Sequence, residues 1–243
     1  MEFLDIGVSL IVLVILEIVL GIDNLVFLAV LTEKLPREQR KNARRWGLTF
    51  AWVTRLLLLA SAVWLSKLTR PLFSLFAFSF SARDIFLMLG GIFLLLKATQ
   101  EIHNEVNSYH GVEGEKPVKK VSFHGIVVQV ALMDIVFSFD SVLTAIGLTS
   151  RFWVMAAAIS VAILVMIYAS ESVSRFIEKH PTLKMLALSF LILIGTILVA
   201  DGFSFHVPRG YIYFAMGFSL SVEMLNQMKQ SAPIRKKKKN AHH

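Results

Sequence analysis

Two short acidic segments are set in apolar sequence, and they are alike. Glu17-Ile-Val-Leu-Gly-Ile-Asp23-Asn24 and Asp134-Ile-Val-Phe-Ser-Phe-Asp140-Ser141 share one order at a constant offset of 117 residues. Each reads acid, Ile-Val, apolar, small, apolar, Asp, small polar residue. Carboxylates, an amide and a hydroxyl are hard oxygen donors, suited to Mn²⁺, Ca²⁺ or Mg²⁺. The chain has no Cys, and none of its seven His lies mid-span, so the soft ligands preferred by Cu, Zn or Ni are missing. The candidate metal ligands are therefore Glu17, Asp23, Asn24, Asp134, Asp140 and Ser141, with the Ser138 hydroxyl as a further donor. Met133, beside Asp134, is read as core filler.

A carboxylate at mid-bilayer costs about 2.5–3.5 kcal/mol on insertion scales, so four left alone would cost roughly 10–14 kcal/mol. Arg55, mid-way along its own apolar span, is expected to offset one of them and not all four. The remaining acids point to an ion pathway, the usual role of acids at this depth. Six residues turn an ideal helix by about 240°, so Glu17 and Asp23 share a face only if the helix is distorted. Gly21 would permit such a break. Seven residues return to the same face, which aligns Glu17 with Asn24 and Asp134 with Ser141.

The elements that must hold these residues are membrane helices. Of 243 residues, 56% are apolar and only 17% charged, which excludes a disordered chain and disfavours a soluble enzyme. Apolar spans run over 6–31, 46–66, 84–102, 124–147, 152–170, 185–203 and 210–228, and all six prolines fall between or after them. The short apolar stretch 71–80 is read as an interfacial or re-entrant segment rather than an eighth crossing. The loops 32–45, 97–121 and 171–184, with the tail 229–243, carry 19 of the 25 Lys and Arg, and the alternate set carries 5. Positive loops stay in the cytoplasm, so the N-terminus is expected outside and the C-terminus inside. That pattern explains the net charge of +8 without nucleic acid, for which no aromatic-basic surface exists.

Three crossings separate the two acidic segments, so the second runs the opposite way through the membrane. The expected fold is an all-α polytopic membrane protein, seven transmembrane helices in an inverted 3+3 repeat plus one C-terminal helix. Its parts are a first three-helix repeat (1–102), a cytoplasmic loop (103–121), a second, inverted repeat (122–203), a seventh helix (204–228) and a basic cytoplasmic tail (229–243). Glu101 and Asp201, at opposite ends of the third and sixth spans, are vestibule candidates, although Glu101 is also spaced to pair with Lys97. Glu223, inside the seventh span, is a further pathway candidate, and Arg55 is either a counter-ion or a coupling residue.

The pair EIVLGIDN (17–24) and DIVFSFDS (134–141), with GYIYFAMGFSLSVEMLNQ (210–227), resembles the TerC family of integral membrane proteins, similar in plan to the LysE-type superfamily. The resemblance covers nearly the whole chain. It implies a multi-pass protein of the bacterial inner membrane that exports a metal ion, chiefly Mn²⁺, as in the Alx-like members. It also implies that Glu17, Asp23, Asp134 and Asp140 are the family's acidic positions. The family name records tellurite resistance, but carboxylates repel an oxyanion. The expected partners are thus a divalent cation as cargo and membrane lipid; no cofactor is expected and no oligomeric state is assigned. Proton antiport is the expected coupling, because a divalent cation entering a carboxylate cluster displaces protons. Ca²⁺ transport by the same site is one alternative. Another is a membrane scaffold that assists assembly or metallation of partner proteins. No HExxH, GxSxG or phosphate loop occurs, so no enzymatic activity is expected.

Overall fold

The structure is a computed structural model that describes residues 2–61, 71–75, 78–109, 122–148, 151–205 and 207–239. Among these, the side chains of 2–5, 23, 71, 73–75, 78, 79, 108, 109, 140, 141, 143–148, 209 and 230–239 are outside the description. The described chain is helical apart from one hairpin. The helices are α1 (Glu2–Thr32), α2 (Arg37–Ala60), α3 (Ala82–Tyr109), α4 (Phe123–Leu148), α5 (Phe152–Lys179), α6 (Pro181–Gly202) and α7 (Arg209–Lys239). Four of them, α1, α3, α5 and α6, are long and apolar enough to cross a membrane. In α2 the first turns are charged, which shortens its apolar part. In α4 the apolar stretch counted among the described residues is Phe123–Phe139.

The helices outrun the spans read from hydropathy. α2 starts at Arg37 rather than 46, α3 runs to Tyr109, α5 to Lys179 and α7 to Lys239. Hydropathy finds only the part that lipid demands. The charged residues beyond it are good helix formers, and they extend the same helices past the apolar zone. The apolar run 71–80 contains a β-hairpin, Pro71–Leu75 (β1) against Phe78–Ser81 (β2), with Phe73 opposite Phe80 and Leu75 opposite Phe78. It ends in a capping box: Asp84 Oδ2 accepts from the Ser81 amide (2.8 Å) and hydroxyl (2.7 Å), and the Asp84 amide donates back to Ser81 Oγ (3.2 Å). That reciprocal pair starts α3.

α1 packs chiefly on α5, α4 on α2, and α3 on α6, so most of the packing is between the first three helices and the next three. Small residues set the closest crossings. A Cβ on Gly91 of α3 would lie 2.6 Å from the Gly195 carbonyl of α6, so the two backbones touch. α1 is continuous through Gly21. The break that Gly21 would permit does not occur, and Gly21 instead makes room for a neighbour: a Cβ there would lie 2.5 Å from Met166 Sδ of α5. α7 packs mainly on α6 and leaves Tyr211, Phe214 and Phe218 exposed.

Ion pairs gather where α1, α3 and α5 end and α2 and α6 begin. Lys184 bridges Glu33 (2.9 Å) and Glu105 (2.6 Å), Lys34 pairs with Glu101, and Arg40 pairs with Glu178 at 2.9 Å.

Candidate cation site

Deep in the bundle, one Arg joins both acidic segments. Arg55 of α2 donates from Nη1 to Glu17 Oε2 of α1 at 2.9 Å. From the same guanidinium, Nη2 reaches Asp134 Oδ1 of α4 at 2.6 Å, and Nε lies 3.2 Å from each Asp134 oxygen. All three side chains are sealed from solvent, at 2%, 3% and 4% exposure for Glu17, Arg55 and Asp134. Three helices are thus pinned by one planar fork, whose five donors suit carboxylates on two sides.

The surroundings complete Asp134. Ser138, one turn further along α4, donates to Oδ2 at 3.0 Å. Asn24 of α1 donates from Nδ2 to Oδ1 at 3.1 Å. The other end of that amide, Asn24 Oδ1, is buried with no hydrogen-bond partner. Beside it lies a cavity of about 10 Å³, lined by Asn24, Leu28, Leu48, Ala51, Met133 and Asp134 among others. That volume admits about one water-sized body. Its lining comes from three helices, α1, α2 and α4. The site thus keeps one unused oxygen acceptor, Asn24 Oδ1, near the Asp134 carboxylate and a small cavity.

Four expected residues therefore meet: Glu17, Asn24, Asp134 and Arg55. Asp23, Asp140 and Ser141 lie in the helical stretches of α1 and α4, and their side chains are outside the description. Among the described residues, no group of three or more His, Asp or Glu is close enough to hold a metal. Glu101 is buried and pairs across to Lys34 of the α1–α2 loop, not along its helix to Lys97. Asp201 is buried in the last turn of α6, next to Gly202, which rests on the Asp84 carbonyl of α3. Glu223 turns to the start of α6, where it accepts from Thr182 Oγ1 and from Gln227 Nε2 of its own helix (3.1 Å). It takes no part in the Arg55 bridge. Lys184 with its two acids is the ionic feature the sequence did not single out; its only signal was a cation opening an apolar span.

The family described as the integral membrane protein TerC family matches residues 3–239. The inner membrane protein YgdQ of Escherichia coli K12, labelled UPF0053, is 52% identical over 214 residues, covering 88% of this chain and 89% of YgdQ. A UPF0053 protein of Haemophilus influenzae is 49% identical over 219 residues, 90% of this chain and 92% of its own length. The E. coli K12 inner membrane protein YoaE is 48% identical over 238 residues, which is 97% of this chain and 46% of YoaE. No solved structure matches the chain.

Proposed function

The chain belongs to the TerC family of integral membrane proteins, and on that footing we propose that it exports a divalent cation: oxygen ligands suit a hard ion, and the family resemblance points to Mn²⁺ among these. It is an inner-membrane protein with several apolar helices of spanning length. The observation that carries the reading is the meeting of both acidic segments, Glu17 and Asp134, around one buried point beside the orphan Asn24 oxygen. Segments 117 residues apart in sequence converge where a charge is most costly, which a merely structural pair does not require.

The helix pairing supports the inverted repeat. Exchange α1 with α4, α2 with α5, and α3 with α6. The contact of α1 with α5 then becomes that of α4 with α2, and the α3–α6 contact maps onto itself. Both pairings are among the most extensive in the molecule.

In this reading Arg55 is a tethered cation that holds the place of the cargo. With both acids ionised, Glu17, Asp134 and Arg55 sum to one negative charge. An arriving divalent ion competes with the guanidinium for the same oxygens, so binding frees Arg55 to lean on one acid at a time. Asp23 and Asp140, six residues further along α1 and α4, extend the acidic route in opposite directions from the bridge. Proton release from the acids is the coupling that balances charge. No enzymatic step is part of the proposal.

The test is Mn²⁺ flux into proteoliposomes carrying the full chain. Saturable flux is expected, falling to the empty-vesicle level for Asp140→Asn and Asp134→Asn and persisting for Lys179→Gln. Absent Mn²⁺ flux in the unmodified protein, or full flux in Asp140→Asn, overturns it. Equal competition by Ca²⁺ would overturn the choice of metal.

A further inference from the structure

A second polar site lies on the outside of the bundle, along the seam between α2 and α5. Two cross-links bound it. Arg40 Nη1 meets Glu178 Oε1 at 2.9 Å near the helix ends, and Trp52 Nε1 donates to Ser160 Oγ at 2.9 Å further in. Twelve residues of α2 separate these links, so the seam between them is about 18 Å long at ~1.5 Å per residue. Between them is a groove of about 410 Å³.

Its walls divide by chemistry. Lys41 and Arg45 line it from α2, and Arg175 from α5. One acid, Glu171, shares the space, 3.5 Å from Lys41 and 3.8 Å from Arg175. Those distances are long for ion pairs, and among the described residues Arg45 has no acid partner at all. Directly behind, Arg44 is buried at 6% exposure; it donates to Ser174 Oγ at 3.2 Å and leaves its Nε without a partner. Burial holds the Arg44 guanidinium below its ordinary range, with Glu171 and Glu178 offsetting part of that effect. Toward the middle of the bundle the groove turns apolar, with Leu164 and Ile167, and Tyr168 stands at its rim 89% exposed.

We propose that this groove binds the phosphate of an anionic phospholipid. Three cations against one acid leave two net positive charges, so an anion is favoured over a zwitterion. The apolar inner wall continues from the charged end as an acyl chain continues from its headgroup. A Tyr at the boundary matches the headgroup level of a bilayer. Basic pockets between transmembrane helices recognise anionic headgroups by this combination. The site does not depend on what passes through the bundle. It ties α2, which carries Arg55, to α5.

The experiment uses the full-length protein in mild detergent, with lipid adducts counted by native mass spectrometry and thermal stability followed in parallel. The probes are phosphatidylglycerol, phosphatidylcholine and inorganic phosphate. Phosphatidylglycerol is expected to bind and to raise the Tm, and R45Q/R175Q to weaken binding about tenfold or more. R45K/R175K is expected to retain most of it. A tail variant, K236Q/K237Q/K238Q/K239Q, is expected to keep the tight adduct, which separates the groove from the basic tail. Equal binding of phosphatidylcholine, unchanged binding in R45Q/R175Q, or loss of the adduct in the tail variant alone would each overturn the proposal. So would inorganic phosphate reproducing the full Tm rise, which would make the ligand a free anion. If R45Q/R175Q does not fold, K41Q with R175Q gives the same comparison.

Discussion

The two acidic segments are near copies in sequence and unequal in structure. Asp134, in the second, is held by Arg55 on two sides, by Asn24 and by Ser138. Glu17, in the first, is held by a single Arg55 nitrogen. The cause lies four residues on. The second segment has Ser138, whose hydroxyl reaches back to the carboxylate, whereas the first has Gly21, which yields its space to Met166. The longer Glu side chain then spans the distance that the shorter Asp does not need to cover. A pseudo-symmetric pair has become one anchored acid and one loosely held acid. The loose one is suited to exchanging partners.

Four substitutions probe that inequality. Arg55→Gln strands both acids and is expected to cost about 3–5 kcal/mol, read as a large fall in Tm of the detergent-solubilised protein. Restoring stability by Arg55→Gln with Glu17→Gln and Asp134→Asn, while flux stays absent, would separate the fold from the chemistry. Next, Asp134→Asn is expected to destabilise by roughly 3 kcal/mol, and Glu17→Gln by about 1.5–3 kcal/mol, in line with one hydrogen bond to a charged group. Equal costs would remove the distinction between anchored and loose acids. The smallest effect is expected from Ser138→Ala, about 1 kcal/mol. Its use is in transport: with its anchor loosened, Asp134 should exchange partners more readily, so the apparent Mn²⁺ affinity of the variant should shift more than its stability.

Much of this was legible in the residues themselves. Apolar runs bounded by prolines located the helices, because lipid tolerates little else. The recurrence of Glu17-Ile-Val and Asp134-Ile-Val picked out the two segments that meet. Partner choice was less legible, since it depends on how helices rotate against each other. Arg55 was expected to offset one acid and serves two, because α1 and α4 meet each other beside it and bring both carboxylates within its reach. Glu101 was given a partner by helical spacing, Lys97, yet a cation from another element reached it. Glu223 stands in an apolar span, but it faces Thr182. The segment 71–80 was expected not to cross, and it holds β1 and all of β2 but Ser81. Its alternation of Phe and Ser is the sequence feature that suits a hairpin.

The contact of Gly91 with the Gly195 carbonyl carries a mechanical consequence. α3 and α6 touch backbone to backbone at two levels, Gly91 against Gly195 and Gly202 against the Asp84 carbonyl, so gliding one past the other drives bulkier residues into both notches. Such a pair resists relative sliding more than its neighbours do. If the proposed transport involves helix motion, a distance measured between Gly91 of α3 and Gly195 of α6 is expected to stay constant while the other helices move.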